Sequence, residues 1–189
     1  MTEVKKSEMA GLTFPSEGII QLMVPDEHDP NKQDEVTLRR LARNYDDALT
    51  IYVRHGDYEQ WKFLNLGGPT HPMHIHLTAF QALSRDRFIT NTFVPYVEGN
   101  PQTGGTSAPL TFLSREMPAP NEQGWKDTIR VGRRELVSVV GKFSGGNGRF
   151  MYHCHLIDHE DHGMMRPFNV RPPEVLDLMP HGEHGEHHP

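Results

Sequence analysis

The feature that most constrains this chain is a pair of short runs in which metal-binding side chains alternate. One is Tyr152-His153-Cys154-His155-Leu156; the other is His71-Pro72-Met73-His74-Ile75-His76. On a β-strand, successive side chains point to opposite faces of the sheet. His153 and His155 then share one face, and Cys154 points to the other. His74 and His76 share a face, while His71, an odd number of steps away, looks the other way. If the two strands lie near each other, this parity sorts sulfur from imidazole and builds two clusters back to back.

The surrounding sequence supports strands. The runs 48–55, 58–66, 73–85, 127–132, 135–143, 149–155 and 165–170 are short, rich in β-branched and aromatic residues, and separated by turn residues. Gly56-Asp57 reads as a hairpin turn between the first two. Gly145 to Gly148 reads as another turn. No segment keeps a helical period, and seven short strands predict an all-β fold, a Greek-key β-sandwich or a Greek-key barrel. Residues 86–125 carry Gly- and Pro-rich stretches and predict a long excursion over the surface. Residues 26–46, including Thr37 to Arg43, are polar and read as a linker. Ahead of them, the apolar run 18–24 either edges this domain or closes a preceding one. The His-rich end, 181–189, is low in complexity and is expected to be disordered. The resulting division is an extension over 1–45, one domain over 46–172 and a tail over 173–189. Trp61 and Trp125 are expected to pack within the sandwich.

Composition removes several functions. The net charge of -6 and the lack of a basic run argue against nucleic acid as a partner. No apolar stretch is long enough to span a membrane, and the first residues lack the apolar core of a signal peptide, which predicts a cytoplasmic address or a chain whose natural beginning lies elsewhere. Cys154 is the only cysteine, so no internal disulfide can form.

His71 and Cys154 meet on one face, and His159 and Met164 follow Cys154 closely enough to loop back. Two imidazoles, a thiolate and a thioether are the ligand set of a blue-copper electron-transfer centre. Met165 competes with Met164 for the thioether role. On the opposite face stand His74, His76, His153 and His155. Imidazole suits copper, zinc, iron or nickel, but a structural zinc site leaves the adjoining thiolate unexplained. Cys154 is bonded through the backbone to His153 and His155, so an electron at the first cluster has a short route to the second.

Residues 46–172 resemble the multicopper oxidases, a family that includes bacterial laccases, bilirubin oxidases and phenoxazinone synthases. The likeness runs through "EQWKFLNLGGPTHPMHIHLTAFQALSR" and "GWKDTIRVGRRELVSVVGKFSGGNGRFMYHCHLIDHEDHGMMRPFNV". It implies a C-terminal cupredoxin domain with copper as cofactor. It also implies type 1 copper on His71, Cys154, His159 and Met164; type 2 copper on His74; and a type 3 pair on His76, His153 and His155. Glu160 would act catalytically, delivering protons to the oxygen site; the bland alternative is a solvated acidic turn.

The resemblance further implies a one-electron donor, phenolic, aminophenolic or a metal ion, with dioxygen as acceptor. Type 1 ligands lie near the surface in this family, so the donor pocket is expected near His71 or His159. The trinuclear site of the family needs two further His-x-His pairs, which this chain lacks: His28 and His55 are isolated, and His181, His184, His187 and His188 lie in the tail. A partner chain supplying those pairs is therefore expected, and copies of the same chain would each bring the same half. The alternatives are a stand-alone blue-copper electron carrier or a remnant that binds copper without catalysis.

Overall fold

The computed structural model describes residues 22–25, 38–42, 45–47, 51–89, 93–94 and 105–178. Its strands in chain order are β1 (Leu22–Pro25), β2 (Leu38–Ala42), β3 (Tyr52–Arg54), β4 (Tyr58–Asn65), β5 (His71–Ile75), β6 (Phe80–Ile89) and β7 (Phe93–Val94). They continue as β8 (Gly105–Thr106), β9 (Thr111–Glu116), β10 (Thr128–Val131), β11 (Glu135–Lys142), β12 (Gly148–Cys154) and β13 (Met165–Arg171). Two short helices are α1 (Ile157–Asp161) and α2 (Pro173–Leu176). Among the described residues, no helix is long and apolar enough to cross a membrane.

One sheet has the order β10-β5-β12-β13-β3 and the other β4-β11-β6-β9; a smaller sheet joins β1-β2-β8-β7. The first two sheets turn alternating apolar residues toward each other, as the all-β, cupredoxin-like expectation requires. Met73, Ile75, Tyr152, Cys154, Phe168 and Val170 come from one side; Phe63, Phe80, Val137 and Val139 come from the other. Trp61 joins the layers, stacking on Phe143 at 5.8 Å and meeting Tyr152 and Phe168 edge-on at 5.1 and 5.3 Å. Such offset and edge contacts suit the charge distribution of aromatic rings. Burial pushes the Tyr152 hydroxyl up to about 12, although Arg166 pulls the other way through its charge and a hydrogen bond.

Several sequence expectations change. Gly56-Asp57 is not a hairpin turn. β3 pairs in parallel with β13, while β4 pairs with β11 in the facing sheet. Gly56 adopts φ +93° and donates its N–H to Phe143 O, and Phe143 N–H donates to Asp57 O. The turn is therefore an arch between sheets, which lets Val53 and Phe63 both face the core. The run 73–85 also crosses from one sheet to the other. It breaks at Leu77, φ +74°, and the Thr78 hydroxyl bonds Lys142 O at 2.9 Å. Trp125 is exposed rather than packed in the sandwich.

Residues 86–125 are more regular than predicted, because β9 returns antiparallel along β6. Within the expected linker, β2 is a strand paired with β1, so the apolar run ahead of it does find a sheet. Residues 18–21 and 181–189, which carry parts of the N-terminal strand and tail expectations, lie outside the described residues.

A buried ion network ties the returning segment to the sandwich. Arg85 bonds Glu122 through Nε at 2.9 Å and through a second contact from Nη2, and it bonds Glu135 at 2.9 Å and Arg130 O at 2.9 Å. Burial alone would raise the Glu122 carboxyl. Bonds from Arg85 and the Ala119 N–H, with the charges of Arg85 and Arg130, hold it below its ordinary value. Partnering on this scale is what lets charged groups remain buried.

Candidate metal centres

β5 and β12 are adjacent and antiparallel, with His74 opposite His153 and Met73 opposite Cys154. That register turns strand parity into two sites. On the core face, Cys154 Sγ lies 3.7 Å from His71 Nδ1 and 3.5 Å from His159 Nδ1, and the two nitrogens are 3.2 Å apart. Three donors around a metal with bonds of about 2.1 Å form a triangle with edges of about 3.6 Å. The cluster therefore has nearly the size of a trigonal His₂Cys site. Its softness and geometry fit blue copper.

The loop after β12 brings the remaining pieces into place. His159 sits in α1, and Gly163, φ +90°, reverses the chain. Met164 N–H then donates to His159 O at 2.9 Å, and Cys154 N–H donates to Met164 O at 3.0 Å. Met164 is buried, while Met165 is half-buried. The cluster is dry on its core side, with Cys154 0% and His71 5% exposed. Burial, then the neighbouring His159, pushes His71 down to about 4. Burial pushes the Cys154 thiol up; the Leu156 N–H opposes this by donating to sulfur, and the Glu160 charge adds to the rise. His71 is thus kept neutral and its lone pair available, while a cation would be needed to make the thiolate comfortable.

On the outer face, His76 Nε2 and His153 Nε2 approach to 3.1 Å, and His74 completes a second donor cluster with them. The His74 ring lies 4.9 Å from His76 and 5.3 Å from His153. His155 is exposed, its ring 5.6 Å from His74 and 5.5 Å from His153. It borders the cluster without joining its tight donor set.

Hydrogen bonds set the tautomers here. His74 Nδ1 lies 2.8 Å from Asp127 O, an atom that can only accept, so Nδ1 carries the proton and Nε2 is free for a metal. His153 Nδ1 lies 3.1 Å from Cys154 O and 3.3 Å from Glu160 Oε2, which again directs Nε2 into the cluster. The structure brings Glu160 against an imidazole of the second cluster. It is half-buried, while its neighbours Asp158 and Asp161 are exposed. The supporting groups that strand parity could not reveal are the Asp127 carbonyl, the Thr128 hydroxyl 3.2 Å from His74 Nδ1, and the Leu156 N–H. Two are backbone atoms, and Thr128 is recognisable only once β10 is paired with β5.

Comparison with known proteins agrees with this chemistry. A model of the multicopper oxidase family matches residues 20–174. The laccase of Bacillus subtilis (strain 168) is 34% identical over 132 residues, covering 69% of this chain and 24% of the relative. The bilirubin oxidase of Albifimbria verrucaria is 37% identical over 125 residues, covering 66% of this chain and 18% of the relative. The crystal structure of a multi-copper oxidase from Pediococcus acidilactici matches with a TM-score of 0.52 and 28% identity, over 82% of this chain and 29% of that one. The chain spans about a quarter of the length of the first curated relatives it matches. With that pattern running through the sandwich and two donor clusters at its heart, the chain belongs to the multicopper oxidase family, and copper is its cofactor.

Proposed function

We propose that residues 46–172 form a cupredoxin domain that accepts single electrons at a type 1 copper and passes them to half of a trinuclear site that reduces dioxygen to water. Residues 1–45 would be the extension that ends a preceding domain, and 173–189 the tail. His71, Cys154, His159 and Met164 would hold the type 1 copper, His74 the type 2 copper, and His76, His153 and His155 the type 3 pair. Copper, when bound, supplies one-electron redox chemistry at the first cluster and the binding site for dioxygen at the second.

The observation carrying this reading is the placement of Cys154 between two imidazoles of the opposite face. From Sγ, its own backbone runs directly to His153 and His155, so the first cluster is wired to the second by covalent bonds. Glu160, 3.3 Å from His153 Nδ1, would hold a proton beside the second cluster and release it as oxygen is reduced. Two His-x-His pairs from a further domain or a partner chain would complete the trinuclear site. The donor is proposed to be a phenol, an aminophenol or a metal ion reaching the His159 side, where Leu156 and Ile157 are exposed.

A second reading is favoured by the asymmetry of the clusters. The core-facing one is closed by its own loop, so this chain could act as a blue-copper electron carrier without oxidase activity. Copper titration separates the two. Under the first reading, the loaded chain shows a thiolate-to-copper visible band and consumes oxygen with a donor once a chain bearing two His-x-His pairs is added. A band with no oxygen consumption after that addition supports the carrier. No band in the loaded chain would sink both.

A further inference from the structure

The two strands that carry the clusters also place a methionine directly opposite Cys154. Met73 is the cross-strand partner of Cys154, is 4% exposed, and shares the core face of β5 with His71 and Ile75. The ladder bonds show which kind of pair this is. His155 N–H donates to Pro72 O and His76 N–H donates to Met151 O, so the hydrogen-bonded pairs of this ladder alternate with Met73 and Cys154. Met73 and Cys154 are therefore a non-hydrogen-bonded antiparallel pair, the kind in which side chains come closest. The backbone contributes differently, since the Leu156 N–H donates to the sulfur. A thioether has no hydrogen to donate.

We propose that Met73 is a positioning residue acting through Cys154: a soft, donor-free cover that denies the sulfur a further hydrogen bond. The proposal rests on the reading of the core-facing cluster as a type 1 copper centre. The hydrophobicity and hydrogen bonding around the cysteine sulfur tune the potential of such a centre. Each N–H or O–H aimed at the thiolate draws charge from it and makes it a poorer donor to copper. The oxidised metal depends most on that donation, so an added hydrogen bond favours the reduced state. Met73 keeps the sulfur electron-rich, against the pull of the Leu156 N–H, and so preserves the thiolate as the electron's way out toward His153 and His155.

Met73→Gln tests this, because glutamine has nearly the same reach and carries an amide N–H₂ where methionine ends in a methyl. In the copper-loaded full chain, the ratio of reduced to oxidised copper at a fixed ambient potential should rise about tenfold, an upward shift of about 59 mV for one electron. The thiolate-to-copper band should weaken and move to higher energy. Met73→Leu, apolar and without donors, should stay within about twofold of the wild type. If Met73→Gln does not take up copper, Met73→Thr supplies a hydroxyl donor on a β-branched side chain suited to the strand, and should move band and potential in the same direction. A glutamine or threonine variant with wild-type band and potential overturns the proposal. A leucine variant shifted as far as glutamine also overturns it, since packing alone would then set the potential. A loaded wild-type chain without the band refutes instead the reading of the cluster as type 1 copper.

Discussion

The two faces of β5 and β12 are built from the same strands, yet they differ in completeness. On the core face, three donors converge within 3.7 Å, the sulfur is buried, and the loop from Leu156 to Gly163 returns over the cluster. On the outer face, three imidazoles converge, and the fourth, His155, stays exposed. Alternation along a strand fixes which donors share a face, but it does not decide whether a face is covered. The core face is covered because the facing sheet and the local loop bury it. The outer face is covered unevenly: His153 is buried beside Glu160, His74 and His76 are half-buried, and His155 is exposed.

The sharpest way to break this contrast is to remove the sulfur. Cys154→Ser should abolish the visible thiolate band and reduce copper uptake at the core face by at least one ion, measured by metal analysis and absorption. His76→Ala should leave that band in place, because its imidazole serves only the outer face. Loss of the band in both variants would mean that the faces do not act as separate sites.

The next effect probes what holds the outer face in register. Arg85 joins β6 to Arg130 O on β10, and β10 also carries Thr128, which touches His74. Arg85→Ala leaves Glu122 and Glu135 buried without their main cation, and breaking such a network costs about 3–5 kcal/mol. Chemical denaturation of the metal-free chain should show that loss. A change under about 1 kcal/mol would mean that the network is solvated rather than structural.

Much of this organisation could be read from the amino acids alone. His153-Cys154-His155 and His71-x-x-His74-x-His76 dictated which donors share a face; the pairing of β5 with β12 that brings them together is seen only in the fold. The arches at Gly56 and Leu77 could not be read, because alternation says which way a side chain points and not which sheet a strand joins. A two-residue turn rich in glycine serves a hairpin and an arch alike, and the choice is made by distant partners, β11 for one strand and β13 for the other. The exposure of Trp125 was hidden for a related reason. A large aromatic is usually buried, but Trp125 belongs to the stretch leading into β10, outside the alternation that faces the core.

Acid probes the core-facing cluster next. Burial holds His71 at about 4 against an ordinary 6.5. Below 6.5 the unfolded chain takes up the proton while the folded chain refuses it. Stability contributed by this residue is therefore complete above 6.5, falls as the pH drops toward 4, and levels off below. The slope cannot exceed about 1.4 kcal/mol per pH unit for one proton. Denaturation at a series of pH values, wild type against His71→Gln, isolates it, and the glutamine variant should lose that part of the slope. Equal slopes in the two proteins would mean that His71 is protonated in the folded chain.

The smallest effect is expected at His155, and it bears most directly on why the outer face is left open. His155 is exposed, and its ring approaches other imidazoles without entering their donor cluster. A surface substitution away from a cap, a core or a buried network usually changes stability by less than about 0.5 kcal/mol. His155→Ala should accordingly leave the metal-free chain as stable as the wild type and the thiolate band intact, while removing one imidazole from the outer face. If that face is one half of a shared site, the same variant should bind copper there more weakly and fail to consume oxygen once the complementary His-x-His pairs are supplied. A substitution that is silent for the fold and decisive for the shared site is what an unfinished ligand set implies. Oxygen consumption equal to wild type, with the partner present, would remove His155 from that set.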